Sequence, residues 1–159
     1  MKDVVIRKAK KEDLKPLLDL TIKLRDFHRK LDKSYKKGKD WSDARKHLKD
    51  ALKSKNNLVL LAEFQGQVVG FSLGRIQPAG SIYVHEKIGF IFDVYLEPDF
   101  RRKGIVRSLL EKQNIWFKKN RIRFVELYVD VKNKHGFNAW KKHGFRPIMV
   151  RKRLDLRKV

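Results

Sequence analysis

Apolar residues recur along this chain in two rhythms. From Leu14 to Phe27, the positions Leu14, Leu17, Leu18, Ile22, Leu24 and Phe27 repeat at the spacing of one helical face. Glu12 and Asp13 stand where the start of a helix favours negative charge, and Pro16 is tolerated in a first turn. Val4, Val5 and Ile6 ahead of it suit a short strand. The charged stretch 32–40, which holds Gly38, is expected to be a loop or a frayed helix end. Asp40 suits the N-cap of a second helix through about Ser54, with Trp41, Ala44, Leu48 and Leu52 on one face.

At Asn56-Asn57 the period shortens. NLVLLAEF and QVVGFSLGRI flank Gln65-Gly66 and predict a β-hairpin. A turn at 78–81 leads to a third strand, interrupted near Gly89 and strongest over IFDVYLEP. An amphipathic helix follows, with Ile105, Leu109, Leu110, Trp116 and Phe117 as its packing face. After it come a strand FVELYVDV, a short helix over HGFNAWKK, and a final strand or hairpin from Phe145. The expected architecture is one α/β domain over 1–159 with a mixed sheet, without internal repeats or a low-complexity linker.

Charge changes this picture more than composition does. Hydrophobic residues make up 42% of the chain, ordinary for a globular protein. Forty Lys and Arg against 18 Asp and Glu leave a formal net charge of +22. Such a field attracts polyanions, so nucleic acid is an expected but non-specific partner. The chain has no cysteine, which excludes disulfides, thiolate metal sites and a cysteinyl acyl-enzyme. Its five histidines show no metal-ligand spacing and are read as solvated, with His85 the one that could line a substrate site. No apolar run approaches the roughly 18 residues of a membrane span. MKDVVIRKAKKEDL lacks the apolar core of a signal peptide, so no membrane association and a cytoplasmic location are expected.

The charge is densest in DFRRKGIVRSLLEKQNIWFKK, where Arg101, Arg102 and Lys103 precede Gly104 and a helix. Positive charge at a helix N-terminus is unfavourable unless an anion sits there. Strand, proline-containing turn, basic glycine loop and helix together build a phosphate cradle from backbone N–H groups, with glycine allowing close approach. A solvated basic loop ahead of a core helix fits the same residues.

The spacing Arg101-x-x-Gly104-x-Val106 after VYLEPDF resembles the acetyl-CoA loop of the GCN5-related N-acetyltransferases (GNAT). VDVKNKHGFNAWKKHGF is similar to a second segment of that family, with Asn133, Gly136, Ala139, Trp140, Gly144 and Phe145 at matching positions. With the two motifs in register and the element order in agreement, the resemblance spans essentially the whole chain. It implies a mixed, mostly antiparallel sheet with splayed parallel central strands, flanked by helices. It implies acetyl-CoA as acetyl donor and no metal. Val94, Tyr95 and Leu96 would pair with the pantetheine and hold the acetyl carbonyl. Arg101, Arg102, Lys103, Gly104, Ile105, Val106 and Arg107 would form the pyrophosphate loop, and Asn133 would lie on the cofactor's other side. Phe92, Val94 and Leu96 are expected to share one face of the strand. Two residues depart from the pattern. Val106 replaces a Gly or Ala, and Trp140 replaces a tyrosine that often protonates the departing thiolate, which an indole cannot do.

Transfer to an amine needs a proton acceptor, because an alkyl ammonium of pKa about 10.4 is mostly protonated near neutral pH. Asp93, Glu97 and Asp130 are the carboxylates in range. Asp93, inside an apolar strand, is either a base or the buried partner of a cation. Tyr128 either supplies a proton or lines the cleft. The leading function is direct acetyl transfer from acetyl-CoA to a primary amine of a protein or small molecule. A cationic protein favours an acceptor that also carries an anionic group. The alternative is a catalytically weak module of the same fold that binds acyl-CoA or nucleic acid. Relatives that pair through late strands make a homodimer an expectation too.

Overall fold

The structure, a computed structural model, describes residues 3–158. It divides into a unit ending at Tyr128 and a unit beginning at Val129. In the first, β1 (Val4–Lys8), β2 (Asn57–Phe64), β3 (Gln67–Pro78), β4 (Lys87–Leu96) and β5 (Val125–Leu127) form one sheet in the order β1-β2-β3-β4-β5. The first three pairings are antiparallel, and β4 with β5 is parallel. Helices α1 (Leu14–Leu31), α2 (Ala44–Lys53) and α3 (Ile105–Lys119) flank the sheet. The fold is thus α/β with a mixed, mostly antiparallel sheet.

Two apolar clusters hold the helices to the sheet. Leu17, Leu20 and Leu24 of α1 and Leu48 and Ala51 of α2 pack on Val59, Leu61, Phe71 and Leu73. Ile105 and Leu109 of α3 pack on Leu60, Ala62, Val69 and Leu96. The strand period of two thus divides β2 and β3 between two cores. Gln113, absent from the expected packing face of α3, is fully buried and donates to Ser72 Oγ at 3.1 Å and to the Leu58 carbonyl at 3.0 Å. It ties α3 to both strands of the hairpin. That hairpin turns at Gln65 and Gly66, both at positive φ (49° and 80°), the backbone a tight two-residue turn requires.

Several boundaries differ from the sequence reading. Asp13 does not simply complement a helix start. It accepts two bonds from Arg7, at 2.8 Å each, and one from the Lys10 N–H, while Arg7 also reaches Glu63 at 2.7 Å. Asp40 falls in a short 3-10 turn, and Asp43 is the residue ahead of α2, because the chain first turns once more, with the Ala44 N–H on the Trp41 carbonyl. Gly89 does not interrupt β4. It gives room to Phe117, whose ring would lie 2.6 Å from a Cβ there. The FVELYVDV strand shrinks to Val125–Leu127.

In the second unit, α4 (Lys134–Lys142) is capped by Asn133, whose Oδ1 accepts from the Gly136 N–H at 2.9 Å. Trp140 packs edge-on against Phe145, with ring centroids 5.4 Å apart. The expected final strand does not form: residues 145–155 carry no regular structure, and Ile148, Met149 and Val150 are exposed. Pro147 lacks a donor and this stretch pairs with no strand among the described residues, so nothing selects the extended ladder.

Candidate active site

The site begins with a change of register. Leu73 pairs with Asp93, but Gly74 pairs with Ile91, so Phe92 is an extra residue in β4. This β-bulge bends the strand and shifts its side-chain alternation by one. Gly89 and Ile91 before it face α3, as do Val94 and Leu96 after it, whereas Phe92 is exposed on the other side with its ring 5.0 Å from that of Phe90. The expectation that Phe92, Val94 and Leu96 share a face is therefore corrected. An interruption of strand pairing cannot be read from local alternation.

Pairing with β5 ends one residue before the bulge, at Ile91 and Leu127. Beyond it, the Glu97 N–H donates to the Val69 carbonyl at 2.9 Å, which sets the phase of the β3–β4 ladder. Backbone groups alternate in direction along an antiparallel strand. Asp93, Tyr95 and Glu97 therefore turn theirs to β3, and Val94 and Leu96 turn theirs to the side where β5 has ended. The Leu96 carbonyl there accepts from Arg101 Nε at 2.9 Å. The Val94 N–H and carbonyl are left as the ladder groups that another extended chain would use.

The strand leads through a turn at Pro98–Phe100 to Gly104, at φ +78°, directly ahead of α3. A Cβ at Gly104 would meet nothing within 4 Å, so the loop faces open space. The first turn of α3 has neither a side-chain cap nor an acidic residue, which leaves its N–H groups free to bind an anion. Arg102, at φ +60°, and Lys103 are exposed around it, with the Lys103 ammonium 5.6 Å over the Phe100 ring. Arg101 turns back over Tyr95, and Arg107 pairs along the helix with Glu111 at 2.9 Å. Ile105 is buried, and Val106 packs partly buried against the core that holds Leu96. The branched side chain of Val106 is thus accommodated by the core. The free amides, the open glycine and the unused Val94 groups fit a diphosphate with an extended amide-bearing arm.

The ionisable candidates are arranged unequally. Asp93 is 4% exposed and gives its two oxygens to Arg25 Nη2, at 2.7 and 3.0 Å, while Arg25 lies 5.0 Å over Trp41. Glu97 pairs with Lys23 and accepts from the Tyr95 hydroxyl at 3.3 Å. Burial, and then Glu97, push the Tyr95 phenol above its usual range. Tyr128 follows β5, is 86% exposed, and sets its ring 4.9 Å from Phe90. Asp130 and Asn133 lie in the second unit, where Asp130 accepts from the Lys132 N–H and Asn133 caps α4.

Two histidines differ from the solvated reading. His47 is half-buried beside Trp41, and burial, with Arg75 nearby, lowers its pKa. His85 has both ring nitrogens buried without hydrogen-bond partners, between Tyr83 and Phe124. Sequence reasoning missed Arg25 and Arg75, which belong to no motif. Among the described residues no three His, Asp or Glu side chains are grouped to hold a metal, and no helix is long and apolar enough to cross a membrane.

Comparison with known proteins bears on the family and the fold. The model of the acetyltransferase (GNAT) family matches residues 22–145. An uncharacterized N-acetyltransferase of Methanocaldococcus jannaschii is 34% identical over 145 residues, 91% of this chain. The match spans only 62% of that relative's length. Among solved structures, the "predicted acetyltransferase with acetyl-CoA" from Clostridium acetobutylicum superposes with a TM-score of 0.78 at 20% identity, covering 98% of each chain. An aminoglycoside acetyltransferase from an uncultured soil metagenomic sample, in complex with sisomicin, gives a TM-score of 0.71 at 17% identity, covering 98% of this chain and 97% of that one. At these identities the likeness is one of fold.

Proposed function

The chain belongs to the acetyltransferase (GNAT) family, and on that premise we propose that it transfers an acetyl group from acetyl-CoA directly to a primary amine. The observation that carries this reading is the stretch of β4 at Val94, paired with β3 but past the end of β5 among the described residues, and continuous through the turn with the uncapped start of α3 at Gly104. Bound acetyl-CoA supplies the activated thioester. The Val94 N–H donates to the acetyl carbonyl, where negative charge develops, and a preplaced donor there is worth about 3 kcal/mol of barrier. The amides of Ile105, Val106 and Arg107 hold the pyrophosphate, and Arg102 and Lys103 add charge around it. Arg101 braces the strand end through the Leu96 carbonyl, with its guanidinium over the Tyr95 ring.

Proton handling is assigned from the side-chain geometry. Both Asp93 oxygens accept from the one guanidinium of Arg25, so Asp93 serves as the counter-ion that fixes Arg25 beside Trp41. Tyr128, exposed on Phe90, is the group that protonates the leaving thiolate. The amine reaches the site as the free base or gives its proton to water.

The acceptor is read as an amine that also bears an anionic group. The aminoglycoside-binding neighbour takes a polycation, but a net charge of +22 repels polycations unless the cleft is locally acidic. The test is thiol release from acetyl-CoA over a panel of amines, run beside calorimetric titration of acetyl-CoA. Release that depends on both amine and protein supports the enzyme. Binding without release across the panel contradicts it and favours the acyl-CoA module. Nucleic-acid binding that collapses between about 50 and 200 mM salt marks the charge as non-specific attraction.

A further inference from the structure

Arg75 is an arginine near the bulge that is held in place with no ion-pair partner among the described residues. It lies on β3 opposite Phe90, on the α1–α2 face of the sheet. Its Nε donates to Asn57 Oδ1 at 3.0 Å, and Asn57 Nδ2 in turn donates to the Ala51 carbonyl at the end of α2. Its guanidinium stacks on the exposed Phe92 ring at 4.3 Å. Both restraints leave the two terminal nitrogens unused, and among the described residues no carboxylate lies within ion-pair distance. Beside it is a cavity of roughly 360 Å³ between the end of α2 and the starts of β2 and the last turns of β3, lined by His47, Asp50, Ala51, Asn57 and Arg75. Asp50 is paired with Lys46 at 3.2 Å, and burial with Arg75 beside it holds His47 toward its neutral form. Arg75 links the cavity to β4, because it lies opposite Phe90 and stacks on Phe92, two residues before Val94. The Arg25 charge is already matched by Asp93. What the cavity offers is one oriented, unmatched guanidinium fork.

The direction of β4 says what this fork is for. In the reading above, on which this inference rests, the donor occupies β4 from Val94 toward Gly104. An acceptor must then approach from the other half of the strand, where Phe92 and Arg75 stand. We propose that Arg75, held by Asn57 and Phe92, is the specificity-determining residue of the acceptor site and binds a carboxylate or phosphate at the far end of the amine substrate. A planar fork with free terminal N–H groups suits a bidentate oxyanion, and a lysine would not replace it. Along β3, Arg75 stands three residues from Ser72, the partner of Val94, which places amine and anion on the order of 10 Å apart.

The test uses 8-aminooctanoate and 8-amino-1-octanol, which share chain length and amine and differ in the terminal carboxylate. Calorimetric titration into the full chain is expected to show the carboxylate binding about tenfold more tightly. That contrast disappears in Arg75→Gln and shrinks in Asn57→Ala, which keeps the charge but releases its orientation. Thermal melts of both variants exclude unfolding as the cause. Equal affinity of the two probes, no detectable binding of the carboxylate, or a contrast that survives Arg75→Gln overturns the proposal. Acetyl transfer is read separately: a carboxylate contrast without transfer to either amine leaves the anion site standing and removes the enzymatic reading instead.

Discussion

Arg25 and Asp93, sixty-eight residues apart, meet through one guanidinium nitrogen and both carboxylate oxygens, with Asp93 almost wholly buried. The pair fastens α1 to β4 immediately beside the backbone group assigned to the acetyl carbonyl. Removing one partner leaves the other as an uncompensated charge. Asp93→Asn is therefore expected to lower stability by about 3 kcal/mol. The double variant Arg25→Met with Asp93→Leu recovers most of that loss, because an apolar pair of similar volume needs no solvation. Urea unfolding of the wild type and both variants checks this. A folded Asp93→Asn that keeps its stability and loses turnover alone would show Asp93 to be a base.

Acid sensitivity is expected from Asp13. The Arg7 guanidinium holds its carboxyl below the ordinary carboxylate range, with the Lys10 N–H assisting. A depressed folded pKa gives stability that is present above the unfolded value, about 4, and is lost as pH falls through the folded value. Asp13→Asn should flatten the acid limb of the stability curve while lowering the plateau at pH 7. An unchanged acid limb would assign acid unfolding to other carboxylates.

Tyr128→Phe isolates the proton donor. The residue is exposed, so stability should stay within about 0.5 kcal/mol of wild type. Turnover should fall about 100-fold with KM nearly constant, in keeping with loss of a general acid. The check is steady-state kinetics with acetyl-CoA and the best amine of the panel. Unaltered turnover would reduce Tyr128 to lining the cleft beside Phe90.

Much of this site is local in sequence and was legible there. The Gln65-Gly66 hairpin and the run from Val94 through Gly104 into α3 depend on neighbouring residues, on glycine's access to positive φ, and on helix-end chemistry. What was not legible depends on distant partners. The bulge at Phe92 exists because β3 pairs out of step across it, and alternation within IFDVYLEP gives no sign of that. Arg75 carries no motif, and its meaning comes from Asn57, eighteen residues earlier, and Phe92, seventeen later. The strand expected after Phe145 illustrates the converse: β-branched and apolar residues favour extension, but a strand needs a partner edge, which 145–155 lack among the described residues.

The central claim is that the open loop at Gly104 and the free edge of β4 receive one continuous ligand, acetyl-CoA. Gly104→Trp tests it most directly, because a side chain there enters open space and touches no core residue. The left-handed backbone alone costs about 1–2 kcal/mol of stability, so a thermal melt accompanies each titration. Calorimetric titration at about 0.15 M salt, where exposed charges are screened beyond about 8 Å, is expected to give micromolar binding to the wild type and none to the folded variant. Equal binding by both proteins, or none by the wild type, would contradict the assignment of this loop as the cofactor site.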